Sequence, residues 1–134
     1  MTDDDAESLR TDHVEAVRSG FSAALEGDFD GVRRLLADDV HWYGAGGDPS
    51  DGCTDRRQAL VWMGQAIARG IRAQVLDVRA LDENRVLVLL ERIPAAESEP
   101  DPPHAQIVTF RGGKVAEILV YPSEEAAARA LAGS

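Results

Sequence analysis

The run RVLVLLERI, residues 85–93, constrains this chain more than any other stretch. Its Val, Leu and Ile content favours extended backbone, and successive side chains on a strand point to opposite faces. Val86, Val88 and Leu90 then face one way, and Leu87, Leu89 and Ile93 the other. A strand that is apolar on both faces must be covered twice. Helices can cover one face, and a second copy of the chain is the simplest cover for the other, so a homodimer through the outer sheet face is expected.

The neighbouring segments carry the same period. AQVLDVRAL alternates from Ala73, turns at Asp82-Glu83-Asn84 and returns as residues 85–93, which is a β-hairpin. HAQIVTF and KVAEILVY form a second hairpin across Arg111-Gly112-Gly113, and Pro122 stops the last strand. Between the hairpins, residues 94–103 hold four of the six prolines and three acids, a stiff solvated connection without a strand of its own.

Helical spacing dominates the N-terminal half. Asp12 and Glu15 resemble a capping box ahead of Val14, Val17, Phe21 and Leu25, with a stop at Gly27. Asp28 caps a shorter helix whose apolar face is Phe29, Val32, Leu35 and Leu36, broken by Asp38-Asp39. Val40 to Tyr43 alternates as a short strand, and the four glycines of residues 44–52 mark an irregular loop. That loop is not a phosphate cradle: it lacks the Lys-Ser or Lys-Thr ending, and its two acids repel an anion. Thr54 or Asp55 caps a third helix to Gly70, with Leu60, Met63 and Ile67 on one stripe; Ser123 caps a terminal helix with Glu124 and Glu125 in its first turn.

The resulting class is α+β: a cone-shaped, curved, mostly antiparallel sheet wrapped on N-terminal helices, a cystatin-like roll. Residues 1–11 are expected to be a disordered acidic tail and residues 12–134 a single domain. A net charge of −10 opposes nucleic acid and anionic membrane surfaces, both of which call for a basic footprint. The start of the chain shows no basic and apolar leader pattern, from which a cytoplasmic location is expected. With Cys53 as the sole cysteine, an intrachain disulfide is impossible and a cysteine-based zinc site is not expected; no other metal and no cofactor are indicated. Cys53 reads as a loop thiol rather than a nucleophile, since no histidine adjoins it in sequence.

AALEGDFDGVRRLLADDVHW and VTFRGGKVAEILVY, in this order of elements, resemble the nuclear transport factor 2-like superfamily, in particular its SnoaL-like branch of polyketide cyclases, ketosteroid isomerase and limonene epoxide hydrolase. The resemblance spans residues 13–132 and implies the conical fold with a small-molecule site; the scaffold hosts many activities. Compared with ketosteroid isomerase, Gly44 stands in place of the base, and Phe21 (or Ser22) and Gln106 in place of the oxyanion pair. Compared with limonene epoxide hydrolase, Arg92 matches an arginine, but Pro94 and Val120 replace the acids that activate water and protonate the leaving oxygen.

In the register this implies, Val88, Leu90, Arg92, His104, Gln106, Val108, Phe110, Ala116, Ile118 and Val120 face inward, joined by Trp42, Phe21 and Met63 or Trp62. An apolar lining with a few polar tips suits a small apolar or polyketide-like molecule. Arg92 and Gln106 are candidates to polarise an oxygen and His104 to move a proton in an isomerase, cyclase or hydrolase. Each has a plainer role open to it: Arg92 as a salt-bridged strand end, His104 as an exposed loop end, Trp42 as core. His41, Tyr43, Glu91 and Tyr121 have outward parity. The alternative function is a non-catalytic ligand-binding or dimerisation module that lacks the family's carboxylates.

Overall fold

A computed structural model describes residues 3–43, 54–68, 72–93 and 104–132. The elements run α1 (Asp3–Glu26), α2 (Phe29–Leu35), β1 (Leu36–Tyr43), α3 (Arg56–Ala68), β2 (Arg72–Ala80), β3 (Arg85–Ile93), β4 (His104–Arg111), β5 (Lys114–Tyr121) and α4 (Glu124–Ala132). The glycine-rich loop, Cys53 and the proline-rich connection fall outside the described residues.

The five strands form one sheet in the order β1-β5-β4-β3-β2. Both hairpins pair as expected, β4 joins β3 antiparallel, and β1 closes the far edge parallel to β5. Gly112 and Gly113 turn the second hairpin at φ 60° and 81°, the left-handed conformations that a two-residue turn of matching twist demands. In the first hairpin the Asp82 carboxylate accepts from the backbone N–H groups of Asn84 and Arg85, both at 2.8 Å, and pairs with the Arg85 side chain.

Three register shifts adjust strict alternation, one on β1 between Leu36 and His41 and two on β2 and β5. Leu76 is the unpaired residue between Val75 and Asp77 on β2 and is exposed, which lets Val75 and Val78 both turn to the core. On β5 the register steps from Glu117 to Val115, so Ala116 is the extra residue, and Val115 takes the buried place that simple alternation assigns to Ala116.

The helices differ from expectation mainly at their ends. α1 begins at Asp3 rather than Asp12, and the segment expected to be a disordered tail forms its first turns. Acids near a helix N-terminus favour the dipole, and Ala6, Glu7 and Leu9 are strong helix formers, so this stretch is helical without an apolar stripe to bury. Asp12 and Glu15 therefore lie inside the helix and do not cap it. Its buried stripe includes His13 and Val17, with Ala24 packed on the core, whereas Leu25 is exposed. Gly27, at φ 79°, ends the helix, and the N–H of Asp28 reaches the Ala23 carbonyl at 2.8 Å, a Schellman closure. Leu36, expected on the face of the second helix, is its extended C-cap and opens β1.

Asp28, Asp55 and Ser123 cap α2, α3 and α4 through hydrogen bonds to the N–H groups of Gly31, Gln58 and Ala126. Gln58 Oε1 accepts in turn from the N–H of Thr54, the residue before the cap, at 2.8 Å, an exchange similar to a capping box.

α1, α2 and α3 cover the concave face, where Val40, Val86 and Val88 are fully buried. α4 lies on the opposite face. Ala127 and Leu131 pack there with Leu87, Leu89, Ala105, Ile107 and Tyr121. Leu87 is 6% exposed within a single chain and shares a buried cluster with Ala105, Ile107 and Ala127, so part of the second cover that residues 85–93 require is supplied within the chain itself. The expectation that a second copy covers Leu87, Leu89 and Ile93 is thereby narrowed at Leu87, while Leu89 keeps partial exposure.

Candidate functional site

β4 supplies the central polar group. Gln106 pairs in register with Val88 on β3 and Val120 on β5, and at 6% exposure its amide sits within an otherwise apolar sheet face. A buried amide is costly unless something accepts and donates to it, so its position bears on any occupant of this interior. Val108 and Phe110 continue the same parity of β4 into the core.

The aromatic and aliphatic candidates divide into two groups. Val88, Leu90, Val108, Phe110 and Ile118 are buried in the main core, and Val88 and Leu90 expose 0% and 1%. They form a floor packed beneath the surface rather than a free lining. Phe21, Trp42, Met63 and Val120 pack against that core while keeping some accessible surface. Trp62 is 47% exposed, and its ring meets that of Trp42 edge-on at 4.9 Å. This pair joins α3 to β1 at the border of the core, the amphipathic position that indoles favour.

The proposed catalytic trio is placed unequally. Gln106 is buried on the core face, as alternation requires. His104 opens β4 opposite Leu90, is half-buried and makes interactions of its own. Arg92 lies near the end of β3 opposite Ala73; its side chain is outside the described residues. His41 and Tyr43 keep their common parity, with ring centroids 5.8 Å apart, and Tyr121 packs on the α4 side of the sheet.

Sequence reasoning missed His13. Its ring is 7% exposed and stacks on Phe110 at 4.0 Å with planes 9° apart. The buried Nδ1 has no hydrogen-bond partner among the described residues. The spacing of His13 to Val17 is the helical i to i+4 step, and that was the available signal. It was obscured because Val14 and Phe21 also form a plausible stripe, rotated by about one residue from the one that is most deeply buried.

Among the described residues no group of three or more His, Cys, Asp or Glu side chains is arranged to hold a metal ion, and no helix is long and apolar enough to cross a membrane.

The SnoaL-like domain model matches residues 17–118, and the chain belongs to that family. Similar solved structures include Bal32a from a soil-derived mobile gene cassette, with TM-score 0.73, 19% identity and coverage of 84% of this chain and 90% of that one. An LEH-like epoxide hydrolase from M. tuberculosis has TM-score 0.68 and 16% identity over 93% of this chain and 98% of its own. An uncharacterized cystatin fold protein from Novosphingobium aromaticivorans has TM-score 0.67 and 19% identity over 80% and 95%. At these identities the likeness is one of fold. No curated protein matches the chain at a significant level.

Proposed function

We propose that this SnoaL-like protein binds a small, mainly apolar molecule between its N-terminal helices and the concave face of the sheet. The observation that carries this is Gln106, one buried amide set between Val88 and Val120 on that face. A ligand carbonyl or ether oxygen would accept from the amide NH2, while Phe21, Trp42, Met63 and Val120 contact its apolar body and Trp62 flanks the entrance. In an enzymatic version Arg92 and Gln106 polarise that oxygen and His104 moves a proton, giving isomerase, cyclase or hydrolase chemistry of the family's kind.

Val120 favours a second, non-catalytic version. It lies beside Gln106 in the β5 register, where the resemblance to epoxide hydrolases calls for a carboxylate, and valine neither activates water nor protonates a leaving oxygen. Pairing of two copies through the outer face, where Leu89 keeps partial exposure, completes the proposal.

A thermal-shift screen of small carbonyl, epoxide and aromatic compounds is the test. A ligand at 100 times its Kd adds about 2.7 kcal/mol to native-state stability. Hits should lose most of that shift in a folded Gln106→Leu variant. Equal shifts in the variant would remove Gln106 from the site, and the absence of any hit would sink the binding function. Turnover of a hit that is lost on His104→Ala separates enzyme from binder.

A further inference from the structure

Away from the concave face, α2, the start of α3 and the start of β5 enclose an open cleft of about 440 Å³ lined by Asp30, Arg33, Arg34, Arg56 and Lys114. Four cations and one carboxylate face this space in a chain whose net charge is −10. Arg33 and Arg34 have an ordinary reason to lie in the last turn of α2, since cations there favour the helix dipole. That reason does not extend to Arg56 and Lys114, which reach the same cleft from remote parts of the sequence. Bringing four like charges together is unfavourable unless an anion offsets them.

Asp30 in the lining and Asp38 beside Arg56 offset two of the four cations, which leaves an excess of two positive charges. Asp38 pairs with Arg56 at 2.9 Å, but the Asp38 side chain is 86% exposed, and a surface pair of this kind contributes little. Asp39 is engaged by Arg111 outside the cleft, and the hydrogen bond from Arg111 holds its carboxyl below the ordinary range. Asp30 acts partly through its backbone, whose carbonyl accepts from Arg34 Nε at 3.2 Å. No salt bridge is recorded for Arg33 or Lys114 among the described residues.

We propose that this cleft is a binding site for a phosphoryl-bearing small molecule, separate from the apolar interior. The planar donor forks of arginine match phosphoryl oxygens in pairs, and a lysine adds a compact charge beside them. The cleft volume falls in the range of small-molecule sites, and the acidity of the rest of the surface repels a long polyanion such as nucleic acid.

Isothermal titration with inorganic pyrophosphate at low salt tests this on the full chain. Saturable one-to-one binding with Kd below about 1 mM is expected, weakening as salt is raised. The double variant Arg33→Gln, Lys114→Gln changes two exposed side chains and should keep its circular dichroism spectrum while losing at least tenfold in affinity. Arg129→Gln on α4, which removes one exposed positive charge elsewhere, should bind as the wild type does. Absence of saturable binding overturns the site, as does equal affinity in the double variant or an equal loss in Arg129→Gln. Citrate binding as tightly as pyrophosphate overturns the phosphoryl assignment. None of these outcomes depends on ligand binding at Gln106.

Discussion

Replacing His13 by leucine should make the protein more stable. In the folded chain the imidazole is 7% exposed, and its Nδ1 is buried without a partner among the described residues. A buried polar atom left unpaired costs about 1–3 kcal/mol, which the substitution recovers. Against this stands the stack on Phe110 at 4.0 Å, and an aromatic pair contributes about 0.5–1.5 kcal/mol beyond its buried area. Leucine refills most of the volume with apolar atoms and has a slightly better helix propensity. The balance is a gain of about 1 kcal/mol, or roughly 4 °C in Tm for a domain of this size. Urea unfolding followed by circular dichroism should show a higher midpoint with an unchanged slope. A loss of 1 kcal/mol or more would refute the reasoning and mean that Nδ1 is satisfied in solution by a hydrogen bond that leucine cannot make.

The other expectations concern the frame of the fold. Gly27→Ala should destabilise by about 1–2 kcal/mol: no atom obstructs the added methyl, but φ at 79° is strained for an L side chain, and thermal unfolding reads the loss directly. Ala127→Asp places a carboxylate where 1% of the residue is exposed, between Leu87, Ala105 and Ile107, and should either undock α4 or cost about 3 kcal/mol; unchanged proteolysis and stability would contradict the placement of α4. Acid titration should show a contribution from Asp82. Burial pushes its carboxyl up, but hydrogen bonds from the Asn84 and Arg85 backbones and the Arg85 side chain outweigh this and leave it below the ordinary 3.8. Because the folded value is the lower one, the contribution is present above pH 3.8 and disappears as pH falls through the folded value. An Asp82→Ala variant should accordingly lose stability at neutral pH and show a flatter dependence below pH 4 in pH-resolved denaturant melts.

Local chemistry was sufficient for most elements. Period-two runs identify β2 to β5, Gly112-Gly113 requires the hairpin turn, and Asp28, Asp55 and Ser123 announce the helices they cap. These signals are readable because each depends on residues within a few positions of one another. Parity alone also puts Gln106 among Val88 and Val120, since alternation along paired strands fixes which side chains share a face.

Long-range packing decided the rest. Strict alternation cannot reveal the bulges at Leu76 and Ala116, because a bulge answers to the partner strand and to sheet curvature. The rotation of α1 that buries His13 and exposes Leu25 follows from where the sheet lies, and several stripes of that helix are apolar enough to serve. Likewise, the two apolar faces of residues 85–93 show that both must be covered without saying by what. α4 joining the cluster that buries Leu87, and arginines from α2 and α3 meeting Lys114 in one cleft, arise only when segments distant in sequence fold against the same sheet.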